Sequence, residues 1–274
     1  MVLNKMNACH VFSDKNLSVG ADCLTVYPNE GRAMSINQAI QERIKDIPAG
    51  QVFGYQELPE YGQSPDAVVK AVNRLVADKK IQRLSKGKFY IPKVGVLGLR
   101  KPSDSELIRS VIYKDGHVRG YITGLALFNR LGLTTQVPRT ITIAINGGRQ
   151  LKDFGSIRIK TVITRIPINE ENIEFIQYLD VLKDVKKIPD ADVNDALKII
   201  KNKLEALHAE EVQRLVKLAV EFYSPQVRAL LGLLYTAIKG SNNSELKNTL
   251  NPTTKYKLDL NSKLWPSARD WNIN

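Results

Sequence analysis

Between Gly50 and Pro92 the chain reads GQVFGYQELPEYGQSPDAVVKAVNRLVADKKIQRLSKGKFYIP, and the spacing of its apolar residues there restricts the local fold more than any other stretch. Val68, Val72, Leu75 and Val76 fall at i, i+4, i+7 and i+8, so they share one helix face, which must be buried. Ser64 and Pro65 form an N-cap and first-turn pair: the serine oxygen can accept an orphan amide, and proline lacks the donor that position would waste. The helix is therefore expected to start near Pro65. Its opposite face carries Asp66, Lys70, Asn73 and Arg74, side chains suited to phosphates and base edges.

Upstream, Tyr55 to Leu58 reads as a short turn of helix stopped by Pro59 and Gly62, leaving a tight connection to the capped helix. Downstream, Ile81–Leu84 and Phe89–Ile91 are β-prone runs joined by Ser85-Lys86-Gly87-Lys88, a hairpin with a cationic tip. Ahead of them, Ser35-x-x-Gln38 is a capping-box pattern opening a helix striped by Ile36, Ile40, Ile44 and Ile47. That stripe ends at Pro48-Ala49-Gly50, and Val52-Phe53 supplies a short strand to pair with the hairpin. Helix, strand, helix, capped helix and basic hairpin in this order predict a winged helix-turn-helix over residues 34–93. Its expected DNA-contacting residues are Tyr55, Gln56, Ser64, Asp66, Lys70, Asn73, Arg74, Lys86 and Lys88.

Charge supports that reading. Residues 34–101 carry twelve basic and six acidic side chains and residues 102–167 ten and four, whereas residues 168–250 carry eleven and thirteen. A solubility surplus would be spread evenly, so a basic front half points to polyanions. No run of eighteen apolar residues and no apolar signal core occur, which points to a cytoplasmic protein with no membrane partner. Both cysteines, Cys9 and Cys23, lie near the N-terminus. With His10 they lack the close pair and fourth ligand usual for zinc, so no metal and no cofactor is expected.

Residues 1–33 show neither periodicity nor caps and read as a poorly ordered, dispensable leader, with Met34 an alternative start. Val94–Lys101 reads as a connector, after which Pro102-Ser103 with Glu106 caps a helix carrying Leu107, Ile108, Val111 and Ile112. A helix over Ile122–Leu131 with Gly132 as its C-cap follows, then β-branched strands at Thr140–Ile145 and Ile157–Ile166. Residues 102–167 are thus expected to form a small mixed α/β domain, with Gly147-Gly148 a strand-end turn. Four helical stripes then begin at Ile173, Val193, Val212 and Val227, predicting a bundle over residues 168–250. Residues 251–274 form a polar tail whose Trp265 and Trp271 are expected to dock on that bundle or hold a partner. The fold class is α+β: an N-terminal winged helix, a mixed α/β middle and a C-terminal helical bundle.

No catalytic residue is expected. His117 and His208 have no nucleophile at a recognisable spacing, and neither G-x-S-x-G nor H-E-x-x-H occurs. The pairs Asp180 with Asp184 and Asp190 with Asp192 read as acids on helix faces and at helix starts.

The stretches RLSKGKFYIP, Arg83–Pro92, and GYITGLALFNRLGLTTQVP, Gly120–Pro138, carry a family resemblance. Over residues 35–166 the chain resembles the AbiEi-type antitoxins of type IV toxin–antitoxin, or abortive infection, systems. The resemblance implies an antitoxin that represses its own operon by binding promoter inverted repeats in double-stranded DNA, as a possible homodimer. It further implies that the C-terminal part neutralises a nucleotidyltransferase toxin without a stable complex. Arginine outnumbers lysine seven to three between residues 102 and 167; hence Arg109, Arg119, Arg130, Arg139 and Arg149 are the expected antitoxin surface, beyond residue 101 and separable from DNA binding. Two alternatives share the sequence features: a plain winged-helix transcriptional regulator whose bundle dimerises or senses a ligand, and an enzyme with an accessory DNA-binding domain.

Overall fold

In the computed structural model, which describes residues 34–96 and 98–274, the apolar stripes become buried helix faces. Helix α1 (Ile36–Asp46) buries Ile40 and Ile44, and α2 (Pro65–Ala77) buries Val68, Ala71, Val72 and Leu75. Strands β1 (Val52–Gly54), β2 (Gln82–Ser85) and β3 (Lys88–Tyr90) form an antiparallel sheet in the order β1-β3-β2, with Phe53 opposite Phe89. Those elements share one core and form a winged helix. Two predicted details differ. The turn between β1 and α2 is not α-helical but two 3₁₀ turns, Tyr55–Glu57 and Pro59–Gly62, and Pro59 opens the second turn where it was expected to stop the first. Proline's fixed φ suits a first helical position, so it starts as readily as it ends. Ser64 does precede α2, but its side chain makes no cap hydrogen bond.

The expected connector is a second hairpin, β4 (Lys93–Gly95) with β5 (Gly98–Arg100), leaving Val94 and Leu99 exposed. Ser103 then caps α3 (Asp104–Ile112), its hydroxyl accepting from the Glu106 amide at 3.3 Å. A small hairpin, β6 (Tyr113–Lys114) with β7 (His117–Val118), leads to β8 (Gly120–Thr123). Here the expected helix over Ile122–Leu131 is corrected: its first residues are strand, and only α4 (Leu125–Arg130) is helical. Gly124, at φ +65°, makes the break in a conformation that side-chain-bearing residues avoid. Strands β9 (Thr140–Ile145), β10 (Leu151–Asp153) and β11 (Arg158–Ile163) complete a sheet ordered β10-β11-β9-β8, in which β11 and β9 run parallel.

Helices α5 (Ile173–Asp184), α6 (Val193–Glu205), α7 (Ala209–Phe222) and α8 (Pro225–Lys239) are the four predicted stripes, followed by a single turn, α9 (Ser244–Lys247). Register divides the sheet between two cores. Ile143, Ile145 and Ile159 pack with Leu107 and Val111 of α3 on one face. Tyr121 and Ala144, on the other face, join the core of the helices. That core is continuous across the boundary drawn at residue 167, so sheet and helices stabilise each other. The tail docks: Trp265 and Trp271 are buried, and an isolated bridge joins Tyr256 to Ile273. Among the described residues no helix is long and apolar enough to cross a membrane. The leader, its cysteines and His10 lie outside the described residues.

Candidate nucleic-acid interface

Amphipathic patterning places one face of α2 in the core and so fixes what the other presents. Asp66, Lys70, Asn73 and Arg74 are all exposed. None makes a side-chain hydrogen bond or ion pair among the described residues, so their polar groups are free for a ligand. At the turn between β2 and β3, Lys86 is exposed and Gly87 takes φ +71°, the left-handed conformation that a tight hairpin needs. Arg83, exposed on β2, and Lys79 and Lys80 in the α2–β2 turn add cations that the prediction missed. The basic run from Lys79 to Lys88 was the available signal.

Three expected contacts have other work, and a fourth is partly buried. The Tyr55 ring stacks on Tyr61, centroids 5.9 Å apart, and meets Phe89 edge-on at 5.1 Å, so it fills the turn ahead of α2. Gln56 faces Asp115; with its amide nitrogen turned to that carboxylate it donates to both oxygens, at 2.6 and 2.5 Å. Ser64 is half-buried at the start of α2. Lys88 points inward, away from the wing tip, and its Nζ donates to the Ser110 carbonyl at the end of α3. Desolvation, with Lys152 and Arg119 adding repulsion, pushes its pKa down from 10.5 to about 8. A lysine so placed is a poor phosphate ligand.

Lys88 belongs to a latch between the winged helix and α3. The exposed edge of β1 is covered by side chains that act as a neighbouring strand would. The Val52 amide donates to Glu106 Oε1 at 2.8 Å, and Arg109 Nη2 donates to the Val52 carbonyl at 3.4 Å. Arg109 also grips Glu106 through Nε and Nη2, at 2.8 and 2.9 Å. Edge strands need such cover. The expected antitoxin arginines therefore divide. Arg109 is in the latch, and Arg119 is half-buried with its Nε donating to the Val111 carbonyl at 3.1 Å. Arg130, Arg139 and Arg149 remain exposed, with no ion pair among the described residues.

Lys88 gives the latch a pH signature. Its folded pKa lies below the unfolded value, so between about pH 8 and 10.5 the unfolded chain holds more protons and stability rises with pH. We expect a positive slope of at most about 1.4 kcal/mol per pH unit from this group. Urea titrations of the parent and of Lys88→Met between pH 7.5 and 9.5 measure it. Equal slopes in the two proteins would contradict the assignment.

Elsewhere, His117 is exposed on β7, and His208 precedes α7, its amide donating to Glu211 at 2.8 Å. Among the described residues no group of three or more His, Cys, Asp or Glu converges as a metal would require.

Comparison with known proteins adds a family and no activity. No curated protein matches. Among solved structures, the crystal structure of the RV2827C protein from Mycobacterium tuberculosis is similar at 14% identity and a TM-score of 0.46, over 80% of this chain and 82% of that one. A family model described as a family of unknown function, DUF6088, matches residues 39–215. The chain accordingly belongs to the DUF6088 family.

Proposed function

We propose that this protein is a cytoplasmic DNA-binding repressor and the antitoxin of a type IV toxin–antitoxin operon. The observation that carries the DNA-binding half is the exposed row Asp66, Lys70, Asn73 and Arg74 on the outer face of α2, unpaired among the described residues, beside a wing tipped by Lys86. Such a helix contacts base edges through its polar residues while wing cations hold phosphates. The antitoxin half rests on the resemblance of Arg83–Pro92 and Gly120–Pro138 to AbiEi-type antitoxins. In that reading the functional partner is a nucleotidyltransferase toxin encoded beside this chain.

Replacing Lys70 and Arg74 together by alanine is expected to weaken promoter binding at least tenfold. Gel shifts across a salt series measure it, and the parent's log affinity should fall with log salt by about 0.9 per phosphate neutralised. Lys86→Ala should weaken every DNA sequence alike, whereas Asn73→Ala should change sequence preference. A flat salt response would exclude the interface. The antitoxin half is tested by coexpression with the neighbouring toxin gene. Because Glu106 and Arg109 bind the winged helix, substitution of Lys70 and Arg74 in the full chain separates the two activities more cleanly than truncation at residue 101. Rescue of growth by that variant is expected; failure to rescue would mean that protection works through repression.

A further inference from the structure

One face of the four-stranded sheet is only half covered. On it, Tyr121 and Ala144 belong to the helical core and Val162 packs against that core. Further along the strands and out to β10, the same face carries Thr140, Thr142, Arg158, Lys160, Leu151 and Asp153, as the register of β9, β11 and β10 requires. Arg158, Lys160 and Leu151 are exposed. Arg158 is paired with Asp153 at 2.8 Å, both about half exposed, while Lys160 has no partner among the described residues.

Along β11, Arg158, Lys160 and Val162 succeed one another on this face, about 6.6 Å apart. The strand then runs into a cleft of about 450 Å³ between the sheet and the helices, with Arg165, Lys183 and Glu221 among its lining residues. Asp180 is buried and saturated by four donors, and Lys183 also lies 3.8 Å from Asp184. The Tyr121, Thr123 and Tyr223 hydroxyls donate to Asp180, and all three side chains are buried, so this network forms the floor of the cleft. Glu221, exposed and unpaired among the described residues, is the acceptor that the cleft offers to a ligand.

A cationic strand leading into a cleft with a carboxylate acceptor has a definite complement. Phosphates match Arg158, Lys160 and Arg165. A cleft of this size admits one nucleotide, which a duplex would hold in its stack and a single strand can release. The Glu221 carboxylate in the cleft favours a sugar that donates, and the 2′-hydroxyl is that donor. We propose that the open half of this sheet face is a track for single-stranded RNA, with one unpaired nucleotide lodged in the cleft. The surface is separate from the winged helix and would operate whether or not α2 reads DNA.

The test is fluorescence anisotropy with the full chain and three labelled probes: a ten-nucleotide RNA, the DNA of the same sequence and the corresponding RNA duplex. The RNA single strand is expected to bind at least tenfold tighter than either alternative. Lys160→Ala with Arg165→Ala should cost tenfold or more of that affinity while leaving promoter binding and the melting temperature unchanged, since both side chains are exposed. Lys70→Ala with Arg74→Ala should do the reverse. The proposal is overturned by absence of RNA binding, by equal binding of the DNA strand or the duplex, or by loss of RNA binding only in the α2 variant. Failure of the winged-helix reading shows separately, as a parent protein that binds RNA and not promoter DNA.

Discussion

Asp180→Ala is expected to destabilise the protein by about 3–5 kcal/mol, the range for breaking a buried ionic network from one side. Asp180 is only 3% exposed. Its Oδ2 accepts from Thr123 Oγ1 at 2.7 Å and from the Tyr121 hydroxyl at 3.1 Å, and its Oδ1 from Lys183 Nζ at 2.7 Å and the Tyr223 hydroxyl at 3.0 Å. These donors come from β8, from α5 itself and from the end of α7, so one carboxylate ties the sheet to two helices. Alanine leaves three buried hydroxyls without their acceptor, at about 1–3 kcal/mol each before any re-pairing. The Tyr223 hydroxyl has the Ile176 carbonyl at 3.2 Å as a substitute, which keeps the total below the sum. Lys183, about half exposed, can return to water. Asp180→Asn keeps one acceptor oxygen but turns an amide donor towards other donors, so a loss of about 2 kcal/mol is expected. Chemical denaturation measures both; a cost under 1 kcal/mol for alanine would show that the network is dispensable. Burial and the Asp180 charge also raise the pKa of Tyr121 and Tyr223 well above that of a free phenol, so both stay protonated where the unfolded chain would ionise. Their contribution is complete below about pH 10 and is lost as the pH rises further.

That network marks where sequence reading stops. The stripes of α2 and of α5 to α8 were legible because helical packing repeats every few residues, and the exposed row on α2 followed from the same count. Asp184, read as a helix-face acid, behaves as one, pairing with Lys187 at 2.7 Å. Asp192 likewise caps α6, accepting from the Asn194 and Asp195 amides at 2.8 and 3.2 Å. Asp180 was grouped with them because its partners Tyr121 and Tyr223 lie 59 and 43 residues away, and no local pattern announces a contact at that range. Lys88 and Arg109 were misplaced for the same reason. A lysine after Gly87 looks like a wing tip and an arginine on a basic helix looks like a docking surface until α3 is packed against β1. Strand β8 was lost to a different ambiguity: an apolar run without clear alternation fits helix or strand, and pairing with β9 decided it.

The tail was also only partly legible, and it yields the second large effect. Two tryptophans in a polar segment suggested docking; the site on which Trp271 docks is made by a glycine. Gly232 lies in the middle of α8, where glycine weakens a helix by about 1 kcal/mol relative to alanine. A Cβ at that position would lie 2.2, 2.3 and 2.4 Å from three carbons of the Trp271 ring, far inside van der Waals contact. The indole has no room to retreat: it is fully buried, its Nε1 donates to Thr236 Oγ1 at 3.0 Å, and Lys247 Nζ lies 5.1 Å from its ring centroid. Gly232→Ala should therefore cost about 3 kcal/mol despite the gain in helix propensity, at the upper end for overpacking. Trp271→Ala should cost about 3–5 kcal/mol through lost burial and the cavity left behind. The two changes act on one contact, so they should not add. In a Trp271→Ala background, Gly232→Ala should be neutral or slightly stabilising, because the clash is gone and only the propensity gain remains. Melting curves of the four proteins in this cycle measure the coupling. If Gly232→Ala destabilised equally with and without the tryptophan, the glycine would be required for another reason and the tail would not be seated against α8 by this contact.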